Sequence, residues 1–497
     1  MKLEKLISLL KPIEVINYDN KTEIEIEDIS YNSKTCKKND IFVCLVGEKT
    51  DGHKYAKMAQ EAGACAIMAQ KCPDDITIPV LIVKDTQKTI ADLAGILFDY
   101  PSKKINLIGI TGTNGKTTVT HLIERIFEYN EKSCGLIGTL GYKLNYNDSY
   151  KDAKHTTPQA PELQRTFNIM LDNKLDNVVM EVSSHALAQN RVGACDFNCA
   201  VLTNLTQDHL DYHITMQNYF EAKSILFKNL VAGSCAIINI DDERAQDFIK
   251  ATPQETKILT YGIENNADVK ANNIKFDLQG ASFDCQTPLG NFQVNLQMTG
   301  MFSIYNALAA LTTAIGQNLD INLTLKALEE TRGVAGRFEA ITKSPLTIVD
   351  YAHTPDGLEN VLNAAKKILP PDGRLICIFG CGGDRDATKR PKMASIAEKL
   401  ANISIITSDN PRSEDPQQII TDVLSGIKSL TPDKIMVEPD RELAIKLAAQ
   451  IAKTNDIVIV AGKGHEDYQI LKNETIHFDD REMVRKYFNW YILKKEK

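Results

Sequence analysis

Short apolar runs alternate with amphipathic, helix-like stretches along the chain, and the alternation falls into three blocks. The first block has short apolar runs between helical stretches, which predicts a small α/β unit. In the second and third blocks apolar strands alternate regularly with helices, which predicts mostly parallel sheets covered by helices. In chain order, the runs that carry these predictions are 41–46, 65–68, 80–83, 107–110, 178–182, 200–205, 236–240, 346–349, 375–379, 403–407 and 457–460.

The pattern changes at two points, which we interpret as domain boundaries. Pro101 opens a short polar stretch after the first block, and Gly333 and Gly336 frame a hinge-like segment before the third. We therefore predict an α/β protein of three domains, spanning residues 1–100, 101–335 and 336–497. Residues 269–298 show strand-like segments around glycines instead of the alternation, which predicts an antiparallel appendage on the central domain.

Composition excludes several classes of protein. A chain of 497 residues is too long for one core, and its net charge of −8 disfavours a general nucleic-acid binder. No apolar run approaches the roughly 18–20 residues that span a membrane, and the N-terminus resembles a first amphipathic helix more than a signal peptide. The eleven cysteines have no zinc-site spacing, so we interpret them as reduced core or near-core thiols. We expect a cytoplasmic monomer that neither enters membranes nor binds nucleic acid.

The stretch Thr-Gly-Thr-Asn-Gly-Lys-Thr-Thr at 111–118 follows an apolar strand and opens a helix. Such a turn directs backbone N–H groups and a helix N-terminus at one anion, which indicates a nucleotide-phosphate loop. Lys116 would reach the terminal phosphates, and the Thr117 hydroxyl would bind Mg²⁺. A glycine- and threonine-rich turn with a surface lysine is the alternative. The predicted ATP-binding residues of the loop are Gly112, Thr113, Asn114, Gly115, Lys116, Thr117 and Thr118.

Polar residues also follow two other strands of the central block, where open α/β sheets bind ligands. Glu181 ends one apolar run and is followed by Ser183, while His209 follows the next run. A buried carboxylate is costly unless it is paired or metal-bound, so Glu181 and His209 are candidate Mg²⁺ ligands, direct or through water. The alternative is that Asp208 and Asp211 cap a turn and that His209 and His213 are surface residues.

Lys223 lies on the apolar stripe of a helix predicted over residues 215–230. A lysine there commonly extends its ammonium to solvent. Alternatively, burial lowers its pKa and exposes a nucleophilic amine to CO₂, giving a carbamate that could help hold Mg²⁺. The pattern alone does not choose between the two.

Four polar loops follow the strands of the third block. They begin at Asp350, Gly380, Asp409 and Gly462, and we expect them to share one sheet edge. Their acids, arginine and histidine suit a zwitterionic ligand, with arginine binding a carboxylate by paired hydrogen bonds.

In combination and in this order, the motifs resemble those of the Mur ligases, the ATP-dependent amino-acid-adding enzymes of peptidoglycan synthesis. The resemblance covers nearly the whole chain and implies a UDP-binding N-terminal domain, a central domain with a phosphate loop and a Rossmann-like C-terminal domain. It identifies the segment Ala-Lys-Ser-Ile-Leu-Phe at 222–227 as the one that carries a carbamylated lysine, here Lys223. It also implies ATP contacts by Asn306, Arg337 and His353, and catalytic roles for Lys116, Glu181, His209 and Lys223.

Within the family, the closest resemblance is to the ligases that add the third residue of the stem peptide. It implies binding of UDP-N-acetylmuramoyl-L-Ala-D-Glu by a set of polar side chains and of the added amino acid by another. Arg412 is the mark of enzymes that add meso-diaminopimelate, whose extra carboxylate an arginine can bind. The first set is Ser33, Thr156, Thr157, Ser183, Gln189 and Arg191, and the second is Arg385, Asp409, Asn410, Pro411, Arg412, Gly462 and Glu466.

The reaction implied is stepwise, with ATP phosphorylating the D-Glu carboxylate and the amine of diaminopimelate attacking the acyl phosphate. Mg²⁺ would be held by Thr117, Glu181, His209 and the Lys223 carbamate. Three alternatives stay open: the same ligase adding L-lysine, a relative of folylpolyglutamate synthetase, and a nucleotide-binding scaffold without ligase chemistry. Arg412 argues against lysine, and the intact Lys116 and Glu181 argue against a scaffold.

Overall fold

The computed structural model describes residues 1–19, 21–47, 50–145, 148–151, 155–276, 280–429, 431 and 433–495, with side chains through 488. Within this part of the chain, a five-stranded, a ten-stranded and a six-stranded sheet follow one another in sequence, with a two-stranded sheet near the end. The predicted three-block α/β architecture is confirmed. No helix among these residues is long and apolar enough to cross a membrane.

The N-terminal sheet has the strand order β1-β5-β4-β3-β2, with β1 antiparallel to β5 and the other pairs parallel. Strands β3 and β4 are buried along their whole length, as expected for parallel strands covered on both faces. The elements are α1 Leu3–Leu10, β1 Glu14–Ile16, β2 Asp28–Ser30, β3 Asp40–Val43, α2 Ala56–Glu61, β4 Ala66–Ala69, β5 Val80–Ile82 and α3 Thr86–Leu97, with 3-10 helices at Gly52–Tyr55 and Pro101–Lys104.

The central sheet has the order β15-β14-β13-β12-β11-β10-β6-β9-β7-β8. The seven neighbours β13, β12, β11, β10, β6, β9 and β7 are parallel to one another. Antiparallel strands close both ends, with β14 and β15 at one end and β8 at the other. Strands β13, β14 and β15 are the antiparallel strands predicted within residues 269–298, but they extend the main sheet because β13 pairs directly with β12. The elements are β6 Asn106–Thr111, α4 Lys116–Tyr129, β7 Cys134–Gly138, β8 Gly141–Lys143, α5 Ala160–Asp172, β9 Asn177–Glu181, α6 Ser184–Ala188, β10 Cys199–Leu202, α7 Leu210–His213, α8 Met216–Lys228, β11 Cys235–Asn239, α9 Ala245–Ala251, β12 Lys257–Gly262, β13 Val269–Phe276, β14 Ala281–Thr287, β15 Gly290–Leu296, α10 Met301–Gly316 and α11 Ile321–Glu330.

The C-terminal sheet has the order β16-β17-β21-β18-β19-β20, and only β16 is antiparallel to its neighbour. The strands before the four predicted polar loops, β17, β21, β18 and β19, are therefore adjacent and end at one edge, as predicted. The elements are β16 Glu339–Lys343, β17 Leu346–Asp350, α12 Pro355–Lys367, β18 Leu375–Phe379, α13 Arg390–Leu400, β19 Ile403–Ile406, α14 Pro416–Leu424, β20 Ile435–Val437, α15 Arg441–Ile451, β21 Ile457–Ala461, β22 Tyr468–Ile470, β23 Thr475–His477 and α16 Asp480–Lys495, with a 3-10 helix at Ala387–Lys389.

Two apolar cores hold the central sheet. Helices α4, α10 and α11 pack on one face, and α5, α8 and α9 pack on the other. The eleven cysteines are free and nine of them are buried, in line with the interpretation as core thiols. Because β6 lies between β10 and β9, the loop that follows β6 sits between the segments that follow those two strands.

Candidate functional site

Neighbouring side chains pack so closely around the loop between β6 and α4 that glycine is required at two positions. Gly112 and Gly115 have φ values of 151° and 88°, a region that favours glycine. A Cβ on Gly112 would collide with the Thr203 hydroxyl, and one on Gly115 would lie 2.5 Å from Asn306 Oδ1. Asn306, predicted to contact ATP, therefore lies directly against the loop.

Two lysines converge on one carbonyl of this loop. Lys116 Nζ donates to the Gly112 and Thr113 carbonyls, both at 2.9 Å, and Lys223 Nζ donates to the Gly112 carbonyl at 2.8 Å. Lys223 is only 1% exposed, so the interpretation of a solvent-extended lysine is wrong. Burial, and then the charge of Lys116, lower the pKa of Lys223 well below its ordinary value. A neutral amine is nucleophilic, which favours the carbamate interpretation.

Glu181 ends β9 beside the loop, and three groups bind its carboxylate. The Thr117 hydroxyl donates to Oε2 at 3.1 Å. Thr139, just after β7, donates its backbone N–H to Oε1 at 2.8 Å and its hydroxyl to Oε2 at 3.1 Å. From the third block, Arg337 donates to the Thr117 hydroxyl at 3.0 Å, so the central and C-terminal units meet at this threonine.

Three basic side chains lie around the Asp208 carboxylate beside the loop. Its carboxylate lies 3.4 Å from His209 Nε2, 3.8 Å from Lys389 Nζ and 3.9 Å from His353 Nε2. Burial alone would raise the pKa of Asp208, but His209, Lys389 and His353 together lower it below its ordinary value. Burial lowers the pKa of His209 to about 3, so its imidazole is neutral and can serve as a metal ligand.

The alternative that His213 is a surface residue is wrong. His213 is 5% exposed, and its Nε2 lies 3.0 Å from the Ser184 hydroxyl. It ends helix α7 and faces the start of α6. Asp208 accepts a hydrogen bond from the backbone N–H of the next residue, His209, at 2.9 Å, and its side chain is buried.

No three His, Cys, Asp or Glu side chains converge as a ready-made metal cluster in the described ranges. The predicted set offers a hydroxyl, a carboxylate and an imidazole beside a phosphate loop. This donor set fits Mg²⁺, which keeps several waters and takes few protein ligands where a substrate phosphate supplies the rest. The bond between Thr117 and Glu181 shows that two of the four predicted ligands are adjacent.

The residues predicted to hold the UDP-linked dipeptide form a chain of contacts from Glu181 outward. Thr157 donates its hydroxyl to the Glu181 carbonyl at 2.9 Å and accepts from the Ser183 N–H at 3.0 Å. Arg191 donates to the Thr157 carbonyl at 2.9 Å and to Gln189 Oε1 at 2.6 Å. Thr156 lies 3.1 Å from the Thr139 hydroxyl.

Ser33 and Gln189 line one cleft of about 1000 Å³ between the N-terminal and central units. Gln87 of α3 donates to the Gln189 carbonyl at 3.1 Å across this cleft. The structure thus brings one predicted residue from each unit, Ser33 and Gln189, to one cavity.

The residues predicted to bind the amino acid lie together at the edge of the C-terminal sheet. Asn410 donates to Glu466 at 2.9 Å, and a Cβ on Gly462 would lie 2.5 Å from Asp409 Oδ2. Arg412 donates to the Gly383 carbonyl at 2.9 Å. Burial, followed by the nearby charge of Arg385, lowers its pKa, while burial and then Asp409 raise the pKa of Glu466. Pro411 lies between Asn410 and Arg412 in the same loop.

Two residues of this region, Thr139 and Lys389, escaped the sequence analysis. Thr139 could have been found, because it directly follows an apolar strand as the recognised residues do. Lys389 could not, since it lies in a charged run typical of a solvated surface. Asp350 accepts from the Phe338 and Ala352 N–H groups at 2.6 and 2.7 Å, which fixes the chain next to Arg337.

Comparison with known proteins shows which family the chain resembles. Residues 25–94, 110–314 and 336–464 match the models for the Mur ligase family catalytic domain, the Mur ligase middle domain and the Mur ligase glutamate ligase domain. The chain is similar to the UDP-N-acetylmuramoyl-L-alanyl-D-glutamate--2,6-diaminopimelate ligase of Bacillus velezensis, with 46% identity over 97% of this chain and 98% of the relative. The protein of the same name from Clostridium botulinum is 45% identical over 96% and 98%.

Solved structures give the same family. A structure of a UDP-N-acetylmuramoyl-L-alanyl-D-glutamate--2,6-diaminopimelate ligase matches 99% of both chains with a TM-score of 0.68 and 33% identity. MurF of Thermotoga maritima in complex with ADP, at 20% identity and a TM-score of 0.66, shares the fold. On these similarities, the chain belongs to the Mur ligase family.

Proposed function

We propose that this chain is an ATP-dependent ligase that adds meso-2,6-diaminopimelate to UDP-N-acetylmuramoyl-L-alanyl-D-glutamate in peptidoglycan synthesis. The relatives that carry the name of this reaction match over nearly the full length of the chain. Within the structure, the supporting observation is the meeting of Glu181 and Arg337 at the hydroxyl of Thr117, directly beside Lys116. Such a group of charges, drawn from two units, suits a phosphoryl group that moves between two bound substrates.

In the first step, the D-Glu carboxylate attacks the γ-phosphorus of ATP, and ADP leaves. The loop N–H groups, Lys116 and Arg337 hold the phosphates and neutralise their charge, with Asn306 and His353 as the further proposed nucleotide contacts. In the second step, the amine attacks the acyl phosphate and inorganic phosphate leaves from the tetrahedral intermediate. The chain contributes mainly positioning and charge neutralisation to both steps.

Thr117, Glu181, His209 and a carbamate on Lys223 are the side chains that we propose as Mg²⁺ ligands, direct or through water. When bound, Mg²⁺ neutralises phosphate charge and orients the transferred group. The burial that lowers the pKa of the Lys223 amine supports the carbamate, because only an unprotonated amine adds CO₂.

Two arginines support diaminopimelate over L-lysine as the added amino acid. Burial and then the charge of nearby Arg385 lower the pKa of Arg412, and the two arginines together can bind an anion. The distal carboxylate of diaminopimelate supplies one and lysine does not. Glu466 and Asp409 supply the acids that an ammonium group requires.

The UDP-linked substrate is proposed to occupy the cleft lined by Ser33 and Gln189 and to extend along Arg191 toward Thr156. Domains over residues 1–100, 101–335 and 336–497 fit this division of labour, and the reaction needs no second subunit. Its substrates, ATP and a nucleotide-linked sugar, are those of a cytoplasmic reaction.

The test is phosphate release by the purified protein with ATP, Mg²⁺, the UDP-linked dipeptide and diaminopimelate. We expect Lys116→Ala to lose this activity, because the lysine neutralises the transferred phosphate. Ser429→Ala is the matched control, since Ser429 is exposed and remote from the loop. Equal activity of the two variants would contradict the proposal.

A further inference from the structure

The Glu181 carboxylate is held by a short network that includes one residue with no role so far, Thr139. Glu181 is 1% exposed, and a Cβ on Gly138 would collide with its Oε1, so the β7–β8 hairpin presses on the carboxylate. Thr139 binds both carboxylate oxygens, at 2.8 and 3.1 Å. The hairpin therefore fixes where the carboxylate points.

The number of protons that each group can donate fixes the directions of the hydrogen bonds in this network. An ionised carboxylate only accepts, and a hydroxyl has one proton to donate. The Thr139 hydroxyl uses its one proton in the hydrogen bond that it donates to Glu181. Across the 3.1 Å contact between the hydroxyls of Thr139 and Thr156, the donor is therefore Thr156. By the same reasoning, Thr117 donates to Glu181 and accepts from Arg337.

The result is one chain of hydrogen bonds from Arg337 and Thr117 through Glu181 and Thr139 to Thr156. Its first end lies at the nucleotide and Mg²⁺ side, and its last residue lies at the dipeptide side. Bonds to a charged group polarise one another in a low-dielectric site, so a change at one end alters the other.

We propose that Thr139 is a positioning residue that couples the nucleotide side of the site to the side that binds the UDP-linked dipeptide. This inference rests on the proposed function, because it uses that assignment of Thr117, Glu181 and Thr156. Thr139 acts through Glu181 and need not touch a substrate itself.

The test compares Thr139→Val, which keeps the size and the backbone N–H but lacks the hydroxyl, with Thr139→Ser, which keeps the hydroxyl. A hydrogen bond to a charged group corresponds to a change of about 10- to 100-fold. We expect Thr139→Val to lower kcat by that factor and to raise the Mg²⁺ concentration for half-maximal activity, with KM for the diamino acid unchanged. Thr139→Ser should stay within about threefold of wild type.

A binding measurement separates coupling from a merely structural effect. By calorimetry, the affinity for the UDP-linked dipeptide is measured with and without ADP and Mg²⁺. The ratio of the two affinities reports the coupling, which is reciprocal between the two sites. We expect a ratio different from one in wild type and in Thr139→Ser, and a ratio near one in Thr139→Val.

Thr287→Val is the matched control. Thr287 also ends a strand at a hairpin, where its hydroxyl donates to the Gly290 carbonyl at 2.8 Å, but it lies in the antiparallel strands. It should lose no activity and keep the coupling ratio.

Three results overturn the inference: a Thr139→Val variant with wild-type kcat and coupling ratio, a serine variant as impaired as the valine variant, or a wild-type ratio of one. If the wild-type protein is an active ligase, either of the first two results overturns this inference and leaves the proposed function in place. A wild-type protein without ligase activity overturns the proposed function as well.

Discussion

The fully buried ion pair between Arg441 and Asp480 provides a sharp test of the C-terminal fold. Both side chains are 0% exposed, and two parallel bonds of 2.8 and 2.7 Å join them. Arg441 also donates to the Ala461 carbonyl at 2.9 Å and to the Ser408 carbonyl at 3.4 Å. It thereby connects α15 and α16 to the end of β21 and to the loop after β19, which border the proposed amino-acid site.

Replacing Arg441 by methionine keeps most of the apolar stem but leaves the Asp480 carboxylate buried without a partner. Breaking a buried pair in this way costs about 3–5 kcal/mol. With an m value of about 2 kcal/mol/M in urea, the midpoint of the transition falls by about 1.5–2.5 M. Circular dichroism follows the transition.

Two further variants make the prediction specific. Lys486→Met removes an exposed pair with Glu442 that joins the same two helices, and it should leave the midpoint unchanged. The double variant Arg441→Met, Asp480→Leu removes both charges and should recover much of the loss. A single variant that unfolds at the wild-type midpoint, or a double variant no more stable than the single one, would refute the reasoning.

Four other changes have expected outcomes. Ile214→Gly should raise the free energy of unfolding by about 1 kcal/mol in urea titrations, because Ile214 is 71% exposed and has a strained φ of 68°. A variant less stable than wild type would contradict this prediction. His121 donates to the Thr117 carbonyl, and burial lowers its pKa to about 4, so the unfolded chain binds the proton first as the pH falls below about 6.5. Acidification from about pH 7.5 to about pH 5 should therefore lower the free energy of unfolding of wild type by up to about 2 kcal/mol more than that of His121→Gln. Equal losses of stability in the two proteins would exclude this effect of His121. Lys223→Arg should lower turnover by at least about 100-fold while added bicarbonate raises wild-type activity, and wild-type rates in the arginine variant would exclude a carbamate. Arg412→Lys should raise KM for diaminopimelate by about tenfold or more, because lysine cannot make paired bonds to a carboxylate; an unchanged KM would remove Arg412 from the site.

Features with a local signature were predictable from the sequence. The phosphate loop is contiguous, and its strand, glycines and helix N-terminus follow one another within residues 106–129. The polar loops of the C-terminal sheet were also predictable, because parallel strands that alternate with helices end at one edge. The rule that a polar residue after a buried strand belongs to the site found Glu181 and, applied to β7, would have found Thr139.

Features that depend on distant segments were not predictable. Asp208 and Lys389 lie on different units, and nothing in the charged run around Lys389 distinguishes it from a solvated surface. Arg441 and Asp480 start two helices whose charged residues resemble exposed faces, yet both side chains are buried. Hydroxyl networks such as the one around Thr139 have no periodicity, and only the sheet order brings β7 beside β9.

The central claim is tested most directly by offering the wild-type protein ATP, Mg²⁺ and UDP-N-acetylmuramoyl-L-Ala-D-Glu with either meso-diaminopimelate or L-lysine. Phosphate release and the mass of the nucleotide product are measured for each. The account predicts one phosphate per amide bond with diaminopimelate and no release above background with lysine. Phosphate release in the presence of lysine, or no release with either amino acid, would contradict it.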